Sequence, residues 1–159
     1  MSTQNTTVAE SPTFSIGRAT LLVHDLDETV RFYRDAFEFA TLFDGEVAPG
    51  LRTVHIGPHG QRGAGLWLLR ATSDAGHARV GTQTAPEPAL VLYVKDLATQ
   101  LQRLDALDVR VVKPLMSNDG ASFAHVLDNC GNEIVLVEFA THDAEPDAAY
   151  KLVETTSAE

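Results

Sequence analysis

Two parts of this chain follow the same pattern, in which an apolar strand-like segment leads through an aspartate into a helix-like segment. The first copy begins with residues 20–26 (TLLVHDL) and the second with residues 91–97 (VLYVKDL). Each copy continues through three more strand-like segments with turn-forming residues between them. Such a repeat indicates one supersecondary unit used twice. We therefore predict a duplicated α+β domain whose functional surface is a cleft between the two copies.

The spacing of apolar residues changes within each copy from that of a strand to that of a helix. In the first copy residues 17–23 read as a strand, and Asp25 with Glu28 gives a capping-box signal for the helix. The strands predicted after it are 39–44, 51–56 and 65–69. In the second copy a helix starts at Asp96, and the strands after it are 109–112, 122–127 and 133–139. We predict two tandem βαβββ modules forming a curved mixed sheet around the cleft, with the helices outside.

These elements divide the chain into five parts. They are a disordered N-terminal tail over 1–13, a first module over 14–71, a linker over 72–87, a second module over 88–140 and an acidic C-terminal tail over 141–159. The tails are polar or acidic and have too little apolar surface to order, although residues 147–153 have a possible short helix. The linker is rich in Ser, Gly, Thr and Pro, so we expect it to be flexible. Glu38 and Asp108 stand where helices commonly end in glycine, which predicts loosely wound exits.

Composition excludes several classes of partner. The formal net charge of −10 argues against nucleic acid and anionic membranes, because both need basic patches. A single cysteine, Cys130, cannot form an internal disulfide, and the chain has neither a run of about 18 apolar residues nor a charged-then-apolar start. We expect a cytoplasmic protein whose partners are a small molecule and a second copy of itself.

Two motifs carry a family resemblance. One is VHDL, repeated as VKDL, which leads into a helix containing Arg31-Phe32-Tyr33, and the other is DNCGNEIVL at residues 128–136. Together they resemble the vicinal oxygen chelate superfamily, which includes glyoxalase, extradiol dioxygenases, fosfomycin-resistance enzymes and bleomycin-resistance binding proteins. The resemblance covers about residues 16–139 and implies the paired-module fold and a homodimer, swapped or side by side. It does not decide the activity, because this scaffold supports many.

The resemblance also implies where a metal would be held. Family enzymes place a histidine seven residues before the capping aspartate of a module and a glutamate in the middle of its last strand. The corresponding residues here have no side chain suited to a divalent metal: Arg18, Ala89, Trp67 and Val135. We therefore expect no metal and no other cofactor.

Strand alternation predicts which side chains line the cleft. The predicted ligand-binding set from the strands is Arg18, Thr20, Leu22, Trp67, Leu69, Val91, Tyr93 and Val135, with His24 and Val137 as further candidates. This apolar lining suits a flat or aromatic ligand, and Arg18 is able to grip a carboxylate, phosphate or phenolate. Plainer alternatives are that Trp67 is core, that Arg18 pairs with an acidic neighbour, and that Tyr93 packs against a dimer partner.

Two histidines complete the predicted set. His55 and His125 lie on the third strand of their modules, where each is expected to point inward. A relocated metal site would need three ligands, and Glu133 is the one carboxylate placed nearby. The alternative is that each is a strand histidine hydrogen-bonded to a neighbour. His59, His77 and His142 are expected to face solvent, and Cys130 has no neighbouring base that would make it a nucleophile.

Two classes of function remain from the sequence. The first is a metal-free binding protein that sequesters an apolar or aromatic molecule, such as a drug or natural product. The second is an enzyme, either a metal-dependent lyase or dioxygenase with relocated histidine ligands or a metal-free isomerase with a histidine base. The missing metal ligands favour binding.

Overall fold

The computed structural model describes residues 13–60, 64–118 and 120–140. Within them the elements in chain order are β1 Arg18–Val23, α1 Leu26–Phe37, β2 Phe39–Ala48, β3 Leu51–Pro58, β4 Gly65–Arg70, α2 Asp74–His77, β5 Leu90–Tyr93, α3 Leu97–Asp105, β6 Val111–Ser117, β7 Ala121–Leu127 and β8 Glu133–Phe139. The predicted acidic tail, its possible helix and almost all of the predicted N-terminal tail lie outside the described residues. No helix in the described part is long and apolar enough to cross a membrane.

The strands form two sheets of four with the same topology. The first sheet has the order β1-β4-β3-β2 and the second has the order β5-β8-β7-β6. In each sheet the first strand of the module runs parallel to the last, and the other neighbours are antiparallel. The predicted fold class, α+β with two βαβββ modules, is confirmed, and its mixed sheet consists of these two halves.

One strand extends beyond its predicted end at a proline. β6 runs from Val111 to Ser117, whereas the sequence pattern predicts a strand ending at Val112. Pro114 lacks a backbone N–H, but β6 is an edge strand and its pairing with β7 shifts register between Lys113 and Met116. A bulge on an edge strand tolerates proline without losing a ladder bond.

The linker contains structure that its composition does not predict. The short helix α2 is capped by Ser73, whose hydroxyl accepts a hydrogen bond from the Gly76 N–H at 3.1 Å. Farther on, the Gln83 side chain accepts from the Leu22 N–H at 2.6 Å and donates to the Thr20 carbonyl at 3.3 Å. These two hydrogen bonds hold the linker against the edge strand β1, on the side that does not pair with β4.

The expectation of loosely wound helix exits is wrong. Glu38 and Asp108 both adopt the left-handed conformation, with φ of 57° and 58°. The Glu38 N–H bonds back to the Arg34 carbonyl at 3.1 Å, as in a glycine-capped helix. The residue after each cap, Phe39 or Val109, is 7% exposed. Burial of these side chains offsets the strain of about 1 to 2 kcal/mol that a non-glycine residue meets there.

One hydrophobic core serves both modules. It combines the helix-facing side chains of both sheets with the inner faces of α1 and α3, including Leu21, Leu68, Tyr33, Leu104 and Leu136. Each of these five side chains is at most 6% exposed. The opposite faces of the two sheets thus lie outside this core.

A buried carboxylate joins the two modules within this core. Asp128, in the turn between β7 and β8, accepts hydrogen bonds from the Tyr33 hydroxyl at 2.9 Å, the Cys130 N–H at 2.9 Å, the Asn132 N–H at 2.8 Å and the Asn132 side-chain amide at 2.9 Å. Tyr33 belongs to α1 of the first module and is 1% exposed, and Asp128 is 6% exposed. A buried carboxylate needs such donors to offset the loss of water.

Polar contacts on either side strengthen the junction. The Arg103 guanidinium of α3 donates to the carbonyls of Asp35 and Ala36, at 2.8 Å and 2.6 Å, and so caps the end of α1. Near its beginning, the Thr29 hydroxyl accepts from the Asn129 side-chain amide at 3.1 Å. Helix α1 is therefore held by the second module at both ends.

Replacing Tyr33 with phenylalanine tests the junction. Tyr33→Phe keeps the ring and leaves Asp128 one donor short, so we expect the free energy of unfolding at neutral pH to fall by about 1 to 3 kcal/mol. Burial, and then the Asp128 carboxylate, raise the pKa of Tyr33 well above its ordinary value. The tyrosine's contribution is therefore complete below about pH 10, where the unfolded chain titrates, and is lost at higher pH. Urea unfolding from neutral to alkaline pH should show that the free energy of unfolding falls more steeply with pH in the wild type than in Tyr33→Phe. The role of Tyr33 would be contradicted if both proteins had the same free energy of unfolding and the same dependence of it on pH.

Candidate ligand-binding site

The first sheet carries a row of four side chains on the face away from the helices. The register pairs Thr20 with Trp67, Trp67 with His55, and His55 with Phe43. Paired residues project from the same face, and the residues that alternate with them, such as Leu68 and Val54, are buried in the core. We call Thr20, Phe43, His55 and Trp67 the first-sheet row.

Arg18 lies over the aromatic rings of this row. Its guanidinium carbon is 5.7 Å from the centroid of the Phe43 ring and 6.0 Å from that of the Trp67 ring, which is cation–π distance. None of the ion pairs within the described residues involves Arg18. In the described part of the chain its positive charge is therefore not neutralised by a carboxylate.

Buried polar atoms without partners gather on the same face. Five buried side-chain polar atoms in the described part make no hydrogen bond, and three of them are Thr53 Oγ1, His55 Nε2 and Trp67 Nε1. Thr53 is two residues before His55 on β3 and is fully buried, and His55 is 7% exposed. An unpaired buried polar group costs about 1 to 3 kcal/mol. Three such atoms together indicate a surface built to meet a polar partner.

The environment of His55 favours its neutral form. Burial first, and then the nearby Arg18 charge, lower the pKa of His55 from its ordinary value. A neutral imidazole has one nitrogen that donates and one that accepts. His55 can therefore form hydrogen bonds on this face without carrying a charge. The positive charge on this face belongs to Arg18.

The second sheet has the corresponding row, with a different character. Lys113, His125, Val135 and Val91 are paired in register. His125 Nδ1 is hydrogen-bonded to Glu133 Oε1, and Lys113 Nζ lies 3.5 Å from the same oxygen. The hydrogen bond with His125, followed by the Lys113 charge, lowers the pKa of Glu133. His125 is thus a strand histidine paired with a neighbour.

The predicted ligand-binding residues fall into two groups. Arg18, Thr20, Leu22, His55, Trp67 and Leu69 belong to the first sheet, and Val91, Tyr93, His125 and Val135 belong to the second. The contacts of Arg18 stay within the first sheet, and those of His125 within the second. Tyr93 is 52% exposed, with its ring 5.2 Å from that of Phe139.

A cavity of about 470 Å³ is lined by residues of both sheets. Ala19 and Leu66 line it from the first sheet, and Leu90, Val91 and Tyr93 line it from the second. Arg18 and Trp67 are not part of this lining. The apolar cavity and the first-sheet row with Arg18 above it are therefore lined by different residues.

The other candidate residues are elsewhere. His24 stacks on His77 with ring centroids 5.4 Å apart, and both residues are exposed. Burial, and then the Asp128 charge, raise the pKa of the Cys130 thiol, which makes it a poorer nucleophile. Thr53 was not among the sequence candidates, although alternation back from His55 places it on the same face. His142 lies outside the described residues.

The family model for the Glyoxalase/Bleomycin resistance protein/Dioxygenase superfamily matches residues 15–136. The chain belongs to this superfamily. An uncharacterized protein from Shewanella frigidimarina is 29% identical over 119 residues, which are 74% of this chain and 88% of that relative. The fold is similar to that of a superfamily member from Sphaerobacter thermophilus (TM-score 0.65, 22% identity, 79% of this chain and 97% of that one). It is also similar to TnmS3, an antibiotic binding protein from Streptomyces sp. CB03234 (TM-score 0.64, 20% identity, 82% and 100%).

The residues present do not fit the divalent metal that enzymes of the superfamily hold. Arg18 is a permanent cation, and Ala89, Trp67 and Val135 have no donor that such a metal prefers. In the described residues no three His, Cys, Asp or Glu side chains are grouped closely enough to hold a metal ion. Among these residues His125 and Glu133 form a pair without a third ligand, and His55 has no carboxylate partner.

Two buried threonines test the unpaired atoms of the site. Thr29 and Thr53 are both fully buried, but the Thr29 hydroxyl donates to the Asp25 carbonyl at 2.9 Å and that of Thr53 has no partner. Valine has nearly the same shape without the hydroxyl. We expect Thr53→Val to raise the free energy of unfolding by about 1 kcal/mol and Thr29→Val to lower it by about 1 to 2 kcal/mol. Urea unfolding of both variants measures the difference. Equal destabilisation by the two substitutions would show that the Thr53 hydroxyl has a partner.

Proposed function

We propose that this protein is a metal-free binding protein that sequesters an apolar or aromatic small molecule. The observation that carries the proposal is the face of the first sheet, where Arg18 lies over Trp67 and Phe43. Within the described residues Arg18 has no carboxylate partner, and three polar atoms beside it have no hydrogen-bond partner. A site of this kind supplies flat apolar contact and a few polar groups that orient the ligand.

The superfamily supports this proposal without deciding it. TnmS3 is an antibiotic binding protein with the same fold, but at 20% identity the likeness extends to the fold alone. Many activities share this scaffold, so the residues of this chain decide which of them is favoured. Those residues provide contact area and one charge, and the four metal positions provide no ligand.

A metal-free isomerase is the second candidate, because His125 is paired with Glu133. A histidine oriented by a carboxylate is the usual arrangement of a general base. The two functions differ in what happens to a bound compound. Recovery of the unchanged ligand after prolonged incubation supports sequestration, and its conversion to an isomer, abolished by His125→Gln, supports the enzyme.

A homodimer and a cytoplasmic location belong to the same proposal. Large apolar side chains are exposed along β2, at the start of β3, and along β5 and β6, among them Leu42, Val47, Leu51, Tyr93 and Leu115. An exposed apolar surface of this extent is typical of a protein interface. A second copy would cover it and extend the binding cleft with a further sheet. A single unpaired cysteine is common among cytoplasmic proteins.

Light scattering tests the dimer. We expect a mass near twice the chain mass of 17.2 kDa at micromolar concentration, with two-fold symmetry as the simplest arrangement. Leu115→Asp, which places a charge on the exposed β6 edge, should shift the protein toward monomer. A monomeric mass for the wild-type protein under these conditions would refute the dimer.

Trp67 gives a direct assay of binding, because it is the one tryptophan in the sequence. We expect flat aromatic compounds to change its fluorescence on titration. Trp67→Ala, followed by calorimetry, should weaken binding by about 2 to 4 kcal/mol, as for other aromatic anchors. Leu107→Ala removes an exposed apolar side chain outside the site and should leave affinity unchanged. An indole that no compound in an aromatic and phenolic panel perturbs, and that quenchers cannot reach, would assign Trp67 to the core and reject the proposal.

A further inference from the structure

The two histidines occupy equivalent positions in the two modules. His55 on β3 is paired with Trp67 on β4, and His125 on β7 is paired with Val135 on β8. The residue two positions before each partner is therefore also equivalent. It is Gly65 in the first module and Glu133 in the second.

In the second module this position supplies the carboxylate that satisfies the histidine. Glu133 is hydrogen-bonded to His125 and lies 3.5 Å from the Lys113 ammonium. The unit thus consists of a histidine, a carboxylate and a cation. A carboxylate at this strand position can therefore form a hydrogen bond with the histidine and an ion pair with the cation.

In the first module the histidine and a cation are present, but the described part of the chain supplies no carboxylate between them. Gly65 is paired with Arg18 on β1. A Cβ at residue 65 would stand 2.7 Å from His55 Nε2 and 2.3 Å from the Ile56 carbonyl oxygen, so a side chain does not fit there. His55 Nε2 is therefore directed toward Gly65 and has no hydrogen-bond partner.

We infer that the carboxylate of an aromatic ligand completes this unit, between Arg18 and His55. The inference rests on the proposed binding function and names the class of ligand, an aromatic carboxylate. Arg18 would provide a charge-assisted, two-pronged contact, and the His55 imidazole a hydrogen bond. The aromatic part of the ligand would lie along Trp67, whose indole N–H is a further unpaired donor.

The same geometry requires Arg18 to move. Its guanidinium covers the rings of Phe43 and Trp67, and these residues flank His55 in the row. An anion that binds Arg18 would draw it from the rings and open the row to the ligand. The first-sheet row and Gly65 contain no acidic side chain that would oppose an anion.

Naphthoate and naphthamide are the probes for this inference, because they share one ring system and differ in charge. Calorimetry with the full-length protein near pH 8 should give at least about tenfold tighter binding for naphthoate, the ratio expected of one charge-assisted contact. Arg18→Gln should bring the two affinities to within about twofold. Arg31→Gln removes an exposed arginine on α1 and should preserve the preference.

Thr53→Val and His55→Gln distinguish recognition from folding. Thr53→Val should raise the melting temperature by roughly 2 to 4 °C, because the Thr53 hydroxyl has no partner among the described residues. His55→Gln retains hydrogen-bonding groups and should reduce the naphthoate preference less than Arg18→Gln does.

The outcomes separate this inference from the function on which it rests. Equal binding of naphthoate and naphthamide, both perturbing Trp67, would overturn the carboxylate inference and leave the binding function intact. A naphthoate preference that persists in Arg18→Gln would also overturn it. Failure of both probes and of the whole aromatic panel would reject the binding function, and the inference with it.

Discussion

The hydrogen bond from Tyr33 to Asp128 is the contact on which the arrangement of the two modules depends. It joins the helix of the first module to the last turn of the second, and both groups are buried, so neither can exchange its partner for water at low cost. Arg103 fixes the other end of the same helix. With α1 held at both ends, the helix-facing sides of the sheets share one core and their other faces remain for binding.

The two modules have the same topology, but the residues on the faces away from the helices differ at a few equivalent positions. The register equates four pairs across the modules, namely Arg18 with Ala89, Phe43 with Lys113, Gly65 with Glu133, and Trp67 with Val135. In the second module Lys113 and Glu133 form an ion pair beside His125. In the first module Arg18 has no carboxylate partner, and His55 Nε2 and the Trp67 indole N–H have no hydrogen-bond partner, among the residues that the structure describes. The asymmetry locates the polar part of the proposed site.

The repeat and the spacing of apolar residues were enough to predict the fold, because α1 and the strands each bury a regular stripe of side chains. The alternation of side chains along β1 and β4 also predicted that Arg18 and Trp67 project from the sheet face away from the helices. The bond between Tyr33 and Asp128 was not predictable in this way, since it joins residues 95 positions apart through tertiary packing. The lack of a partner for Thr53 likewise depends on its neighbours in three dimensions. The helix exits at Glu38 and Asp108 were mispredicted because buried residues after them outweigh local preference.

The central proposal is that this member of the superfamily binds a small molecule without a metal. Elemental analysis of protein purified without chelators tests that claim most directly. The account predicts far less than one zinc, nickel, iron or manganese ion per chain, because Arg18, Ala89, Trp67 and Val135 offer no ligand. About one ion per chain, lost on substitution of His55 or His125, would contradict it and favour a metal-dependent enzyme.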